Sequence, residues 1–219
     1  ASRAGTADGA RATAGGATDR ADPVVRSDTG APVAQALTAG YRAYRSGDFD
    51  AARDAYARAV ELAPANRDAR LGAAAVALAE GNLDVAERHY NRVLEAHPQD
   101  PYARAGLARL GRLADDGDRG DALKATLRRH PRAHALRFEL GNYYAEREQW
   151  NAARRAYAEA RRIAPEDADY AYNLAVALDH LGRRTEARRE YQRALELVEQ
   201  APASFPVEAA RRRLERMKP

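Results

Sequence analysis

The feature that most constrains this chain is a spacing. Gly47 and Gly81 stand 34 residues apart, and so do Ala52 and Ala86, Tyr56 and Tyr90, and Pro64 and Pro98. Pro131 follows Pro98 by 33 residues and Pro165 follows by another 34, while Ala153–Ala187 and Tyr157–Tyr191 repeat the 34-residue step. A fixed period of this size describes a stack of like units, each touching only its neighbours. Most of the apolar residues are alanine and only 7% of the chain is aromatic. An Ala- and Leu-rich core with few β-branched residues suits closely packed helices better than sheets.

Each unit reads as two antiparallel helices. The first helix carries a small residue near its middle, in turn Gly40, Ala74, Ala108, Gly141 and Ala175. The second carries Ala52, Ala86, Ala153 or Ala187. Small side chains at these points let the two helices approach closely where they cross. A tyrosine one turn later (Tyr56, Tyr90, Tyr157, Tyr191) is expected to fill the space between units. Gly47, Gly81 and Gly182 supply the left-handed residue that ends the first helix, and the prolines end the second. The third unit departs from the pattern: it is one residue short, with Arg119 and Leu123 in the places of the alanine and the tyrosine. The run ADDGDRGD, residues 114–121, is expected to replace its tight turn.

This pattern resembles the tetratricopeptide repeat. The fourth unit carries the likeness best, in Leu140, Gly141, Tyr144, Trp150, Ala153, Tyr157, Ala160 and Pro165. The resemblance implies an all-α, right-handed superhelix of five helix-turn-helix repeats, at 33–66, 67–100, a degenerate 101–133, 134–167 and 168–200. Residues 201–219 are expected to form a capping helix, with Phe205, Val207, Ala210 and Leu214 on its apolar side and Arg211, Arg212, Arg213 and Arg216 on its wet side. Residues 1–31, rich in Gly, Ala, Thr and Asp, have too little apolar surface to offset ordering and read as a disordered linker.

Such a family member is expected to be a non-catalytic scaffold that binds a peptide or partner protein along a concave groove lined by the first helices. Helical spacing maps Leu37, Tyr41 and Tyr44 to that groove in the first repeat, and Leu71, Ala75 and Leu78 in the second. Tyr102, Arg109 and Arg112 follow in the third, Phe138, Asn142 and Glu146 in the fourth, and Tyr172, Asn173, Asp179 and His180 in the fifth. Aromatic residues and arginine are common anchors of binding hot spots. Asn142 and Asn173, 31 residues apart, resemble the asparagine pair of the carboxylate clamp in chaperone-binding repeats. Phe138, however, stands in the place of the clamp's lysine, so capture of a chaperone's terminal carboxylate is not expected.

A narrower resemblance lies in DYAYNLAVALDHLG, residues 169–182, and FELGN, residues 138–142, which look like bacterial repeat proteins that accompany type IV pilus and type II secretion machinery. It implies an assembly factor on the periplasmic side of the inner membrane. The chain opens at Ala1 and its one methionine is Met217, which fits an anchor or signal upstream. The alternatives are a soluble cytoplasmic adaptor or self-associating scaffold and, more remotely, a nucleic-acid binder acting through surface arginines. The net charge is +4, but the 32 acidic residues are interspersed with the 36 basic ones, as on a solvated surface. Nothing resembles a catalytic motif, no cofactor is implied, and there is no cysteine. His130 and His134 have the spacing of a helical metal pair, but Pro131 between them breaks the helix that would present both.

Overall fold

The computed structural model describes residues 30–113, 119–199 and 203–217. Among these there are eleven α-helices and no strand. Five antiparallel pairs follow one another: α1 (Gly30–Arg45) with α2 (Phe49–Leu62), α3 (Arg67–Ala79) with α4 (Leu83–Ala96), α5 (Pro101–Arg109) with α6 (Arg119–Arg129), α7 (His134–Ala145) with α8 (Trp150–Ile163), and α9 (Ala168–His180) with α10 (Arg184–Val198). A single helix, α11 (Val207–Glu215), follows the last pair. Residues 1–29 of the expected linker lie outside the described residues, and Gly30 and Ala31 already belong to α1. Of the expected loop at 114–121, Arg119 to Asp121 form the first turn of α6, and the remainder also lies outside the described residues.

Local chemistry sets the helix ends. Asn66, Asp100 and Asp167 cap α3, α5 and α9, each accepting hydrogen bonds from backbone N–H groups of the first turn. The fourth repeat has Ala133 in that place, which has no side-chain acceptor. Gly47, Gly81 and Gly182 take φ of 76°, 77° and 72° in the turn between paired helices. The fourth repeat has Glu148 there instead, held at φ 56°. Left-handed backbone costs a residue with a Cβ about 1–2 kcal/mol. Gly111, at φ 67°, stops α5 after nine residues, shorter than the first helix of any other pair.

The core is built on alanine and tyrosine. Ala52, Ala86, Ala153 and Ala187 have no exposed surface at all, and Tyr56, Tyr90, Tyr157 and Tyr191 are buried beside them. Three of these rings need a missing side chain opposite. A Cβ on Gly72 would lie 2.2 Å from the Tyr56 ring, one on Gly106 2.2 Å from Tyr90, and one on Gly141 2.4 Å from Tyr157. In the third repeat Leu123 is fully buried at the tyrosine position, and the ring of Tyr143, from α7, lies against Gly120 of α6. The wet face of α11 is as the sequence suggests, while Phe205 stacks on Tyr172 with centroids 4.3 Å apart and Arg213 pairs with Asp179.

Candidate functional site

The first helices of the pairs face inward and enclose two adjoining cavities. The smaller, about 240 Å³, lies between α3, α5, α7 and the start of α9. Its walls include Leu71, Leu78, Tyr90, Tyr102, Arg109 and Phe138, with the carboxylates of Glu139, Asp167 and Asp169. The larger, about 700 Å³, shares Leu78, Tyr90, Arg109, Asp167 and Asp169 and runs on to Tyr44 and Arg45 in the first repeat and to Ser204 beside the fifth. The stack therefore curls enough for its first and fifth repeats to face each other across one hollow.

Helix caps and ring contacts tie these walls together. Asp167 Oδ1 accepts from the N–H groups of Asp169 and Tyr170 at 3.0 and 3.3 Å. Asp169 accepts from the Ser204 N–H at 2.8 Å and its hydroxyl at 2.9 Å. His134 Nδ1 sits 2.8 Å from the Tyr170 hydroxyl, and its ring packs edge-on to Tyr102. Burial moves the acids and phenols toward their neutral forms. The Glu139 carboxyl is pushed up to about 7 by burial, against the hydrogen bond from Asn142 and the charges of Arg109 and Arg119. Asp167 is pushed up to about 6 by burial and then by the neighbouring Asp169. Burial takes Tyr90 up to about 12 and raises Tyr170 further. His134 is lowered, again by burial.

The residues mapped to the groove from helical spacing divide. Leu71, Ala75, Leu78, Tyr102, Arg109 and Phe138 line the smaller cavity, and Tyr44, Ala75, Leu78 and Arg109 the larger. Tyr41 is well exposed but lines neither. Phe138 is buried between the rings of Tyr157 and Tyr170, with centroids 5.6 and 4.7 Å away. The others are engaged elsewhere. Arg112 lies beyond the Gly111 turn and reaches α4 instead, pairing with Glu87 at 3.0 Å and Asp84 at 3.4 Å. Asn142 accepts from the Tyr157 hydroxyl at 2.9 Å and donates to Glu139 at 3.1 Å. Asn173 donates to the carbonyl of Asp169 one turn back. Tyr172 is covered by Phe205, Asp179 is taken by Arg213, and His180 stacks on Trp150 at 3.7 Å. Among the described residues no group of His, Asp and Glu side chains could hold a metal ion.

The repeated pair geometry has a counterpart in sequence families. Tetratricopeptide-repeat models match residues 43–110 and 138–204, together more than half of the chain. The chain belongs to the tetratricopeptide-repeat (TPR) family. The two matches leave out residues 111–137, where this TPR protein carries the Gly111 turn and the short α6. Among solved structures it is similar to the TPR protein TTC0263 of Thermus thermophilus, with a TM-score of 0.64 and 23% identity over 84% of this chain and 98% of that one. It is also similar to PilF of Pseudomonas aeruginosa, at TM-score 0.56 and 15% identity over 87% of this chain and 90% of that one. The type IV pilus biogenesis factor PilW gives TM-score 0.56 and 17% identity over 76% of this chain and 78% of that one. These likenesses establish a shared fold. No curated protein matches the sequence.

Sequence reasoning missed the acidic side of the hollow. Glu139, Asp167, Asp169 and Tyr170 line it, and none was mapped there. One signal was available: Glu139 stands 33 residues after Gly106, which in turn stands 34 after Gly72, so a carboxylate replaces a glycine in the repeat pattern. Asp167 and Asp169 lie at a helix start and reach the hollow only because the stack curls.

Proposed function

We propose that this TPR protein is a non-catalytic scaffold that binds an extended peptide or a partner's segment along its concave face. One observation carries the reading: α3, α5, α7 and α9 together wall a hollow whose lining mixes apolar surface (Leu71, Leu78, Phe138) with tyrosines and an exposed arginine, Arg109. TPR proteins bind protein partners, and aromatic rings with arginine are the residues that most often anchor such contacts. The test is to purify complexes from the native organism with three forms of the chain. Tyr102→Ala combined with Arg109→Ala is expected to lose the partner at least tenfold, while the convex-face variant Arg92→Ala keeps it. A partner retained by the first variant and lost by the second would place binding on the opposite face.

A finer reading is an assembly factor for a bacterial pilus or secretion machine, working on the periplasmic side of the inner membrane. The fold held in common with PilF and PilW supports it. The same fold serves soluble adaptors, and fold alone does not assign a pathway. Fractionation of native cells and a gene deletion test it. Recovery with the inner membrane and loss of surface pili or of secretion are expected; a chain found wholly in the cytosol, with both intact, would leave the adaptor reading.

A further inference from the structure

We propose that the smaller cavity is a socket for one cationic side chain, lysine or arginine, of the bound partner. This rests on the concave face being the partner-binding face, and it names the chemistry of one contact there.

The repeat register shows how the socket arises. In the first two repeats a tyrosine of the second helix lies over a glycine of the next first helix, Tyr56 over Gly72 and Tyr90 over Gly106. One period on, the same two places hold Leu123 and Glu139. The ring has been lost and a side chain gained, so a carboxylate stands where the second and third repeats have only backbone, at Gly72 and Gly106. Glu139 is 7% exposed and lines the cavity. It accepts a hydrogen bond from Asn142, and among the described residues no cation lies within ion-pair distance of it. A buried carboxylate without a cation is costly, and the protein relieves the cost by holding a proton on it. An incoming ammonium or guanidinium would supply the missing charge.

The surroundings suit a cation. Three carboxylates, Glu139, Asp167 and Asp169, line this cavity against one guanidinium, Arg109, in a chain whose net charge is +4. Arg109 is exposed, and its charge is insufficient to keep Glu139 in the ordinary carboxylate range. The rings of Tyr90, Tyr102, Phe138 and Tyr170 complete the wall, and aromatic surface attracts cations. At about 240 Å³ the space falls below the roughly 300–1,000 Å³ of sites for whole small-molecule ligands, which fits a side chain better than a cofactor. The larger hollow alongside leaves room for the backbone that carries it.

The test uses three fluorescein-labelled twelve-residue peptides of one Leu/Ser sequence with a central Arg, Gln or Glu. Each is titrated into the full chain by fluorescence polarisation at low salt, and backbone amide NMR shifts report where it sits. The Arg peptide is expected to bind at least fivefold tighter than the Gln peptide, with the Glu peptide weakest and the shifts falling on α3, α5, α7 and α9. Glu139→Gln should bring the Arg-to-Gln ratio close to one. Arg109→Gln, a change at an exposed residue, should raise it, and decides the matter if Glu139→Gln does not fold. A Glu peptide that binds as tightly as the Arg peptide, or a preference that survives Glu139→Gln, would overturn the socket. Equal binding of all three on the concave face would remove the socket and leave the scaffold reading intact. Binding confined to the convex face, or none, would remove both.

Discussion

The ring of Tyr90 lies so close over Gly106 that a Cβ built there would stand 2.2 Å from the ring carbon Cζ. The ring is buried, and a Cβ at that distance forces the ring or the helix to shift. Gly106→Ala should therefore cost about 1–3 kcal/mol through overpacking, although alanine is the better helix former by about 1 kcal/mol. Gly72→Ala, under Tyr56, should behave alike. Chemical denaturation followed by circular dichroism measures both; a neutral or stabilising Gly106→Ala would show that the ring can yield.

The helix crossing gives a second prediction. Ala153 has no exposed surface and sits where α7 and α8 meet. Ala153→Leu should cost about 1–3 kcal/mol by forcing the helices apart, read as a lower denaturation midpoint.

Glu148 gives a prediction of opposite sign. It holds a left-handed conformation that Gly47, Gly81 and Gly182 hold in the equivalent turns. Replacing it with glycine removes about 1–2 kcal/mol of strain and adds about 0.5–1 kcal/mol of unfolded-state entropy. Glu148→Gly should thus raise stability by about 0.5–1 kcal/mol, visible as a higher thermal midpoint.

A pH dependence follows from Glu139, whose carboxyl keeps its proton up to about 7 in the folded chain and loses it near 4.3 when unfolded. Between these values the folded state binds more protons, so this group's contribution is full below the unfolded value and is lost as pH rises toward 7. Asp167, held up to about 6, acts in the same sense, while the lowered His134 acts in the opposite one. The difference between wild type and Glu139→Gln isolates the carboxylate. From pH 5 to 7.5 wild type should lose on the order of 1–3 kcal/mol relative to the variant, measured by denaturation at each pH. Parallel curves would contradict the burial.

The last repeat depends on the segment that follows it. Phe205 is buried and stacked on Tyr172. Phe205→Ala should cost about 3 kcal/mol. In a stack stabilised between neighbours the loss should be felt chiefly in α9 and α10. Hydrogen exchange should show those two helices exchanging faster while α3 and α4 are unchanged.

The frame was legible in the sequence because it depends on short-range rules. A small residue at the crossing, a tyrosine one turn later and a glycine at the turn recur at fixed steps in most repeats, and each follows from contacts within a repeat or with the next. The inner wall was less legible. Arg112 sits at helical spacing from Arg109, yet Gly111 ends the helix between them and turns Arg112 toward Asp84 and Glu87. Tyr172 and Asp179 would face the hollow but for Phe205 and Arg213, more than thirty residues further along. The acids at the start of α9 come opposite Tyr44 through the summed curvature of four repeats, which no local pattern encodes.

Arg213 follows Asp179 by 34 residues, so α11 occupies the berth of a sixth first helix without being one. It satisfies the apolar inner side of that berth and turns Arg211, Arg212 and Arg216 outward. Another unit docking on that outer side would have to dehydrate those guanidinium groups, and would need carboxylates of its own to offset the cost.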